Sequence, residues 1–137
     1  MADTVRKVNY FKAQVPNRPG AGAKVLGALR DEGVNLLAFT GFPRGRKTQM
    51  DFIPENAAAF KKAAKSAGLR LSAAKAGFLI QGEDRPGALS DVASRLADAK
   101  INVTAVDAVS AGDGCYAAIL WVKPADVRKT EKLIKTA

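Results

Sequence analysis

The fold class predicted by the sequence is α+β. It reads as two copies of one small unit, each running strand, helix, strand, strand, helix, strand on an antiparallel sheet, the second copy lacking a last strand of its own. Three observations predict this. The segment Asn17-Arg18-Pro19-Gly20-Ala21 returns as Asp84-Arg85-Pro86-Gly87-Ala88 at a constant offset of 67 positions. The likeness extends around it: Phe11, Gln14, Val25, Leu29, Asp31, Asn35 and Ala38 recur as Phe78, Gln81, Val92, Leu96, Asp98, Asn102 and Ala105, making 11 identities over the 32 gap-free positions from Val8 to Phe39. The signals for strands, helices and turns then recur in the same order in both halves. An offset this long marks a duplicated unit and not a solenoid repeat.

The first strands lie ahead of the repeated motif, at Val8–Val15 and Phe78–Gln81. The Pro-Gly segment is expected to open the first helix, with Pro at the first helical position, where its missing N–H costs nothing. In the second copy Leu89, Val92, Ala93 and Leu96 fall at i, i+3, i+4 and i+7, one apolar stripe. The first copy is weaker: Gly22 replaces Leu89, and Gly27 sits inside the helix at a cost of about 1 kcal/mol relative to Ala. Gly33 ends it. A hairpin follows in each copy, Val34–Phe42 into Thr48–Ile53 through Arg44-Gly45-Arg46, and Ile101–Ser110 into Tyr116–Val122 through Gly112-Asp113-Gly114. Second helices are expected over Glu55–Ala67, closed by Gly68, and over Ala125–Thr136, opened by Pro124.

Leu69–Ala73 reads as the fourth strand of the first copy. The second copy has no counterpart after its last helix, so one sheet edge needs a cover, either from a continuous Leu69–Gln81 segment or from a partner chain. The copies are expected to span residues 1–74 and 75–137. Units of roughly 65 to 70 residues are marginal alone, so the two should pack side by side.

Composition narrows the function. A single cysteine, Cys115, excludes an internal disulfide and fits a reducing interior. No apolar run approaches the ~18 residues of a membrane span, and the first ten residues lack a signal-peptide core; a cytoplasmic location is expected. The net charge of +9 is unevenly shared: residues 1–70 hold 13 Lys/Arg against 5 Asp/Glu, residues 71–137 hold 9 against 8. Only the first copy should draw anions over distance, although a solvated basic face explains the same excess. The absence of histidine removes the commonest general base and metal ligand. No carboxylate cluster has metal-binding spacing. Gly41–Thr48 fails as a phosphate-binding loop, because its second Gly does not directly precede Lys and the segment reads as a hairpin. No catalytic residue, metal site or cofactor is assigned.

Strand–helix–strand–strand–helix–strand is the ferredoxin-like topology. Asn/Asp-Arg-Pro-Gly after the first strand, with Val34-Asn35 or Ile101-Asn102 opening the second, resembles the ACT domain. The resemblance covers nearly the whole chain, as two tandem copies with no catalytic domain attached. ACT domains are small ligand-binding modules found in enzymes and regulators of amino-acid metabolism. The resemblance implies a small effector, commonly an amino acid, held between adjacent domains, where the loop after one first strand faces the start of the neighbour's second strand. Asn17 and Asn35 match the ligand-contacting asparagines of the serine-binding domain in phosphoglycerate dehydrogenase, and Asp84 and Asn102 are their counterparts. The implied ligand-binding set is Asn17, Arg18, Pro19, Gly20 and Asn35 with Asp84, Arg85, Pro86, Gly87 and Asn102, in composite sites that join Asn17 to Asn102 and Asp84 to Asn35.

Elementary chemistry makes such sites reasonable. A helix N-terminus offers free N–H groups and partial positive charge to a carboxylate, and Gly20 and Gly87 remove the Cβ that would hold a ligand off. Asn17 donates and accepts, whereas ionised Asp84 only accepts. The first loop, with Arg18 and Lys24 nearby, should favour an anionic group. The second, with Glu83, Asp84 and Asp91 around Arg85, should favour an ammonium group or no ligand. A plainer reading stands beside this one. Asn or Asp ahead of a helix is commonly its cap, worth about 1 kcal/mol, and Asn35 and Asn102 suit turns that satisfy their own backbone.

The functional expectation is a non-catalytic sensor or regulatory partner that binds a small molecule, an amino acid first among candidates, and forms a homodimer that covers an open sheet edge. A structural oligomerisation module without ligand is the alternative. RNA binding, also found on this topology, is disfavoured: Thr48–Ile53 and Ala117–Val122 lack the Gly/aromatic signature of a base-stacking platform, and Asp51 would oppose phosphate.

Overall fold

The computed structural model describes Asp3–Lys135 and divides the chain into two compact α+β units. One is Asn9–Lys75; the other joins the chain from Ala76 to the opening segment that ends at Val8.

The first unit contains the latter part of β1 (Thr4–Pro16), then α1 (Ala21–Asp31), β2 (Leu36–Arg44), β3 (Lys47–Pro54) and α2 (Ala57–Ser66). β3 is central and antiparallel to both neighbours, with Phe11 and Phe39 opposite Phe52. The two-residue side-chain period sends Phe11, Ala13, Val15, Met50 and Phe52 to one face, where they meet Leu29, Phe60 and Ala63 of the helices. Phe60 packs against Phe11 and Phe52 with ring centroids 5.4 and 5.2 Å apart. α2 starts two residues after Glu55 because the Asn56 side chain caps it, accepting from Ala59 N–H at 3.0 Å.

The expected fourth strand, Leu69–Ala73, does not form. Ser72 docks on β1 instead: its N–H donates to the Lys12 carbonyl at 2.9 Å, and its hydroxyl accepts from Lys12 N–H at 2.9 Å. A side-chain oxygen has taken the donor that the next strand carbonyl would need, so no ladder propagates.

The second unit contains β4 (Lys75–Glu83), α3 (Ser90–Asp98), β5 (Val103–Gly112), β6 (Cys115–Val122) and α4 (Val127–Lys135). β6 is central, with Phe78 of β4 and Val106 of β5 opposite Leu120. Its core gathers Phe78, Ile80, Leu120 and Val122 from the strands with Val92, Leu96 and Ile134 from the helices. Pro124 opens a single 3-10 turn, Pro124–Asp126, and α4 follows at Val127. The expected helix end at Thr136 lies outside the described residues.

The last strand missing from this copy comes from the other end of the chain. The Thr4–Val8 end of β1 belongs to this unit beside β4, and Val5 packs on its core. A division at residue 74 assigns all of β1 to the first copy; the structure transfers its opening residues to the second. The 13-residue β1 serves both units in succession.

The Pro-Gly segments precede the helices and do not open them. α1 begins at Ala21 and α3 only at Ser90. Gly20 at φ +88° and Gly87 at φ +70° hold left-handed backbone that a right-handed helix excludes. The β5–β6 connection is a two-residue turn, Asp113-Gly114, with φ of +54° and +72° as a type I′ hairpin requires.

Candidate functional site

All ten residues singled out by the sequence are exposed. Asn17 ends β1 and fastens it to the β2–β3 hairpin: its N–H donates to the Arg46 carbonyl at 3.0 Å and its Oδ1 accepts from the Thr48 hydroxyl at 3.3 Å. Asp84 does the same in the second unit, donating from its N–H to the Gly114 carbonyl at 2.8 Å and accepting from the Ser110 hydroxyl at 2.5 Å. Neither is a helix cap, since α1 and α3 have no side-chain cap. Asn35 sits at the other end of its unit, where its carbonyl accepts from Glu55 N–H at 3.0 Å and its side chain donates to the Glu55 carboxylate at 3.1 Å.

Strand register sets the separation. Pro16 lies opposite Lys47, and Leu36 opposite Pro54, so the whole of β3 stands between Asn17 and Asn35, about 23 Å at strand rise. Asp84 and Asn102 are likewise at opposite ends of β6, whose Val122 faces Val103. A single unit cannot offer both groups to one small ligand.

A cavity of about 240 Å³ borders the second loop, lined by Asp84, Leu89, Val109, Ser110 and Tyr116 among others. Its polar groups gather at the hairpin base and its remaining wall is apolar. Arg85 is turned elsewhere, donating to the Glu83 carbonyl at 2.8 Å and to the Asp3 carboxylate at 3.3 Å.

Asp3 is the centre of a clamp on the opening segment. It also accepts from the Tyr116 hydroxyl at 2.6 Å. Burial pushes the Asp3 carboxyl up, but hydrogen bonds from Tyr116 and Arg85 and the guanidinium charge outweigh it, leaving the group below its ordinary value. Burial and then the hydrogen bond to Asp3 push the Tyr116 hydroxyl up to about 12. Gly82 makes room for this, since a Cβ there would lie 2.8 Å from Asp3 Cγ and 3.1 Å from Tyr116 Cε1.

The face of the first unit away from its helices carries a second polar arrangement. Gln49 and Asp51 are buried on it. Arg44 donates to Gln49 Oε1 at 2.9 Å, while Gln49 Nε2 and the Thr40 hydroxyl each donate to Asp51 at 3.2 Å, so these buried groups are partnered. Beside this network lies a cavity of about 560 Å³, bounded by Lys12, Gln14, Lys47, Gln49, Arg70 and Ser72. Sequence reasoning missed it by treating the basic residues as a solvated face. The available signal was the alternation of Lys12 and Gln14 with the core residues Phe11, Ala13 and Val15. Among the described residues no three of His, Cys, Asp and Glu cluster as metal ligands, and no helix is long and apolar enough to cross a membrane.

Residues 78–136, within the second copy, match the ACT domain. Among curated proteins no sequence is significantly similar to this one. A Bacteroides thetaiotaomicron protein of known crystal structure superposes with a TM-score of 0.83 at 17% identity, covering 96% of this chain and 89% of that one. The ligand-free regulatory subunit of aspartate kinase from Thermus thermophilus gives 0.68 at 16% identity, with 100% and 97% covered. The regulatory subunit of aspartate kinase from Thermus flavus gives 0.59 at 16% identity, with 99% and 96% covered. At such identities the likeness is one of fold, and it runs over nearly the whole chain.

Proposed function

We propose that the first copy is a second ACT domain and that the chain is a non-catalytic regulatory protein. In this reading it binds a small effector, an amino acid by preference, at its Arg-Pro-Gly loops, and pairs with a second copy of itself. The observation that carries the proposal is the internal repeat: 11 identities at a fixed offset tie the first copy to the half that matches the ACT domain. Two further features support it. The loop asparagine and aspartate clasp hairpins, so the α1 and α3 N-termini keep no side-chain cap between them and a ligand carboxylate. The cavity beside Asp84 combines a carboxylate with apolar wall, which suits an ammonium group carrying a small side chain. Two of the similar structures are regulatory subunits of aspartate kinase, in line with a regulatory role.

The test is a thermal-shift screen against the amino acids on the wild type, Asn17→Ala and Asp84→Ala. A true effector at a hundredfold excess over its dissociation constant stabilises by about 2.7 kcal/mol, and at least one substitution should remove the shift. A shift that survives both substitutions places the site elsewhere. No shift with any amino acid favours the ligand-free interaction module, for which the exposed Phe39, Phe42, Val106 and Val109 on the edge strands β2 and β5 speak.

A further inference from the structure

We infer that the first unit carries a binding site for a small organic polyanion in the cavity on the sheet face away from its helices, separate from the Asn17 loop. In the β1–β3 ladder Gln14 faces Gln49, Lys12 faces Asp51, and Lys47 faces Pro16. Lys12 and Lys47 therefore stand on either side of the Gln14–Gln49 pair, about 13 Å apart along the strands at the backbone. The wall opposite is the segment Arg70–Ser72, which leaves the edge of β1 once the Ser72 hydroxyl has taken the Lys12 N–H. That placement brings a third cation, Arg70, to the same hollow.

The charge pattern selects the ligand. Among the described residues no carboxylate lines the cavity. Asp51, opposite Lys12 in the ladder, is held by Thr40 and Gln49, and so is drawn into the β2–β3 network. Among the described residues none of Lys12, Lys47 and Arg70 forms an ion pair. Three uncompensated cations around one concave space repel one another and are relieved by a ligand of two or more negative charges. Arg70 adds a planar fork suited to phosphate or carboxylate oxygens, and Gln14 adds neutral hydrogen-bonding capacity between the lysines. A space of about 560 Å³ lies within the range of small-molecule sites. A zwitterionic amino acid, with no net charge, gains little from three cations, so this ligand class differs from the effector proposed for the loops.

Isothermal titration calorimetry on the full chain tests the inference, with pyrophosphate and citrate as probes and glycine as the zwitterionic control at matched ionic strength. Saturable binding of either polyanion, weakening with added sodium chloride, is expected, whereas any glycine binding belongs to the loops and should be unchanged by Lys12→Gln and Arg70→Gln. Those two substitutions should each weaken polyanion binding at least tenfold, while Lys62→Gln, at an exposed cation of α2 outside the cavity, leaves it unchanged. Preference for pyrophosphate marks a phosphorylated ligand; preference for citrate marks a polycarboxylate. Absence of saturable binding by both probes at millimolar concentration, or binding unaltered in both cation variants, overturns the site. If Lys12→Gln fails to fold by circular dichroism, Arg70→Gln decides, because Arg70 lies outside every strand and helix. Loss of the amino-acid effect in the loop variants with polyanion binding intact separates the two proposals.

Discussion

Replacing Gly82 with alanine probes how the opening segment closes the second unit. In an ordinary strand the change stabilises by roughly 0.5–1 kcal/mol, since glycine loses more backbone freedom on folding. Here the new Cβ would lie 2.8 Å from Asp3 Cγ and closer still to Asp3 Oδ1, with Tyr116 Cε1 at 3.1 Å, so the carboxylate must leave. Its departure removes the 2.6 Å hydrogen bond from Tyr116, a charged bond worth about 1.5–3 kcal/mol. The solvent-exposed pair with Arg85 is lost as well. After discounting the alanine gain, the net loss is about 0.5–2.5 kcal/mol. Urea denaturation followed through Trp121, the single tryptophan and a residue of the second unit, measures it in the wild type, Gly82→Ala, Asp3→Ala and the double variant. The substitution should be close to neutral, or slightly stabilising, once Asp3 is alanine. An equal loss in both backgrounds would refute the steric argument.

Three further expectations concern Tyr116, Asp3 and Lys100. Tyr116 has a folded-state value raised from 10.0 to about 12, so its contribution is complete below pH 10 and lost as pH rises toward 12, about 2–3 kcal/mol in all. Denaturation from pH 9 to 12 should show that slope, and Tyr116→Phe should flatten it. Asp3 acts in the opposite sense: its lowered carboxyl stabilises above the ordinary aspartate range and fails as acid protonates it, a loss that Asp3→Asn abolishes. Lys100 occupies the place of Gly33 in the repeat, with φ of +61° against +73°. Both follow a helix end closed by the same bond pair, Val34 N–H to the Leu29 carbonyl and Ile101 N–H to the Leu96 carbonyl. Lys100→Gly should therefore raise stability by about 1 kcal/mol in urea denaturation.

The sequence made the repeated unit legible because its signals are local. Asp113-Gly114 sets a hairpin in two residues, and Val92 and Leu96 report a helix face within one turn. The strand that completes the second unit left no such trace, since Asp3 and Tyr116 are 113 positions apart, and no window along the chain joins them. Leu69–Ala73 looked like a strand from its alternating apolar residues, but one serine hydroxyl decided the outcome by taking a backbone donor. Asn17 and Asp84 were ambiguous for a related reason. An oxygen ahead of a helix can turn toward the helix or toward the neighbouring hairpin, and only the Thr48 and Ser110 hydroxyls on that hairpin settle which.

The duplicated arginines show how one position takes two uses. Arg85 faces an edge completed by the opening segment, and that segment brings Asp3, which engages the guanidinium. Arg18 belongs to a unit whose corresponding edge is docked by Ser72, a neutral residue near Lys12. No acid is delivered there, and among the described residues the Arg18 side chain has no partner. The same difference carries through to the charge balance, with the first copy strongly basic and the second nearly neutral. A ligand carboxylate approaching the first loop meets an available arginine. One approaching the second meets Asp84 and an arginine already neutralised. Under the proposed function this asymmetry favours the first loop for a carboxylate, and it arises from which segment closes each sheet edge and not from the shared motif.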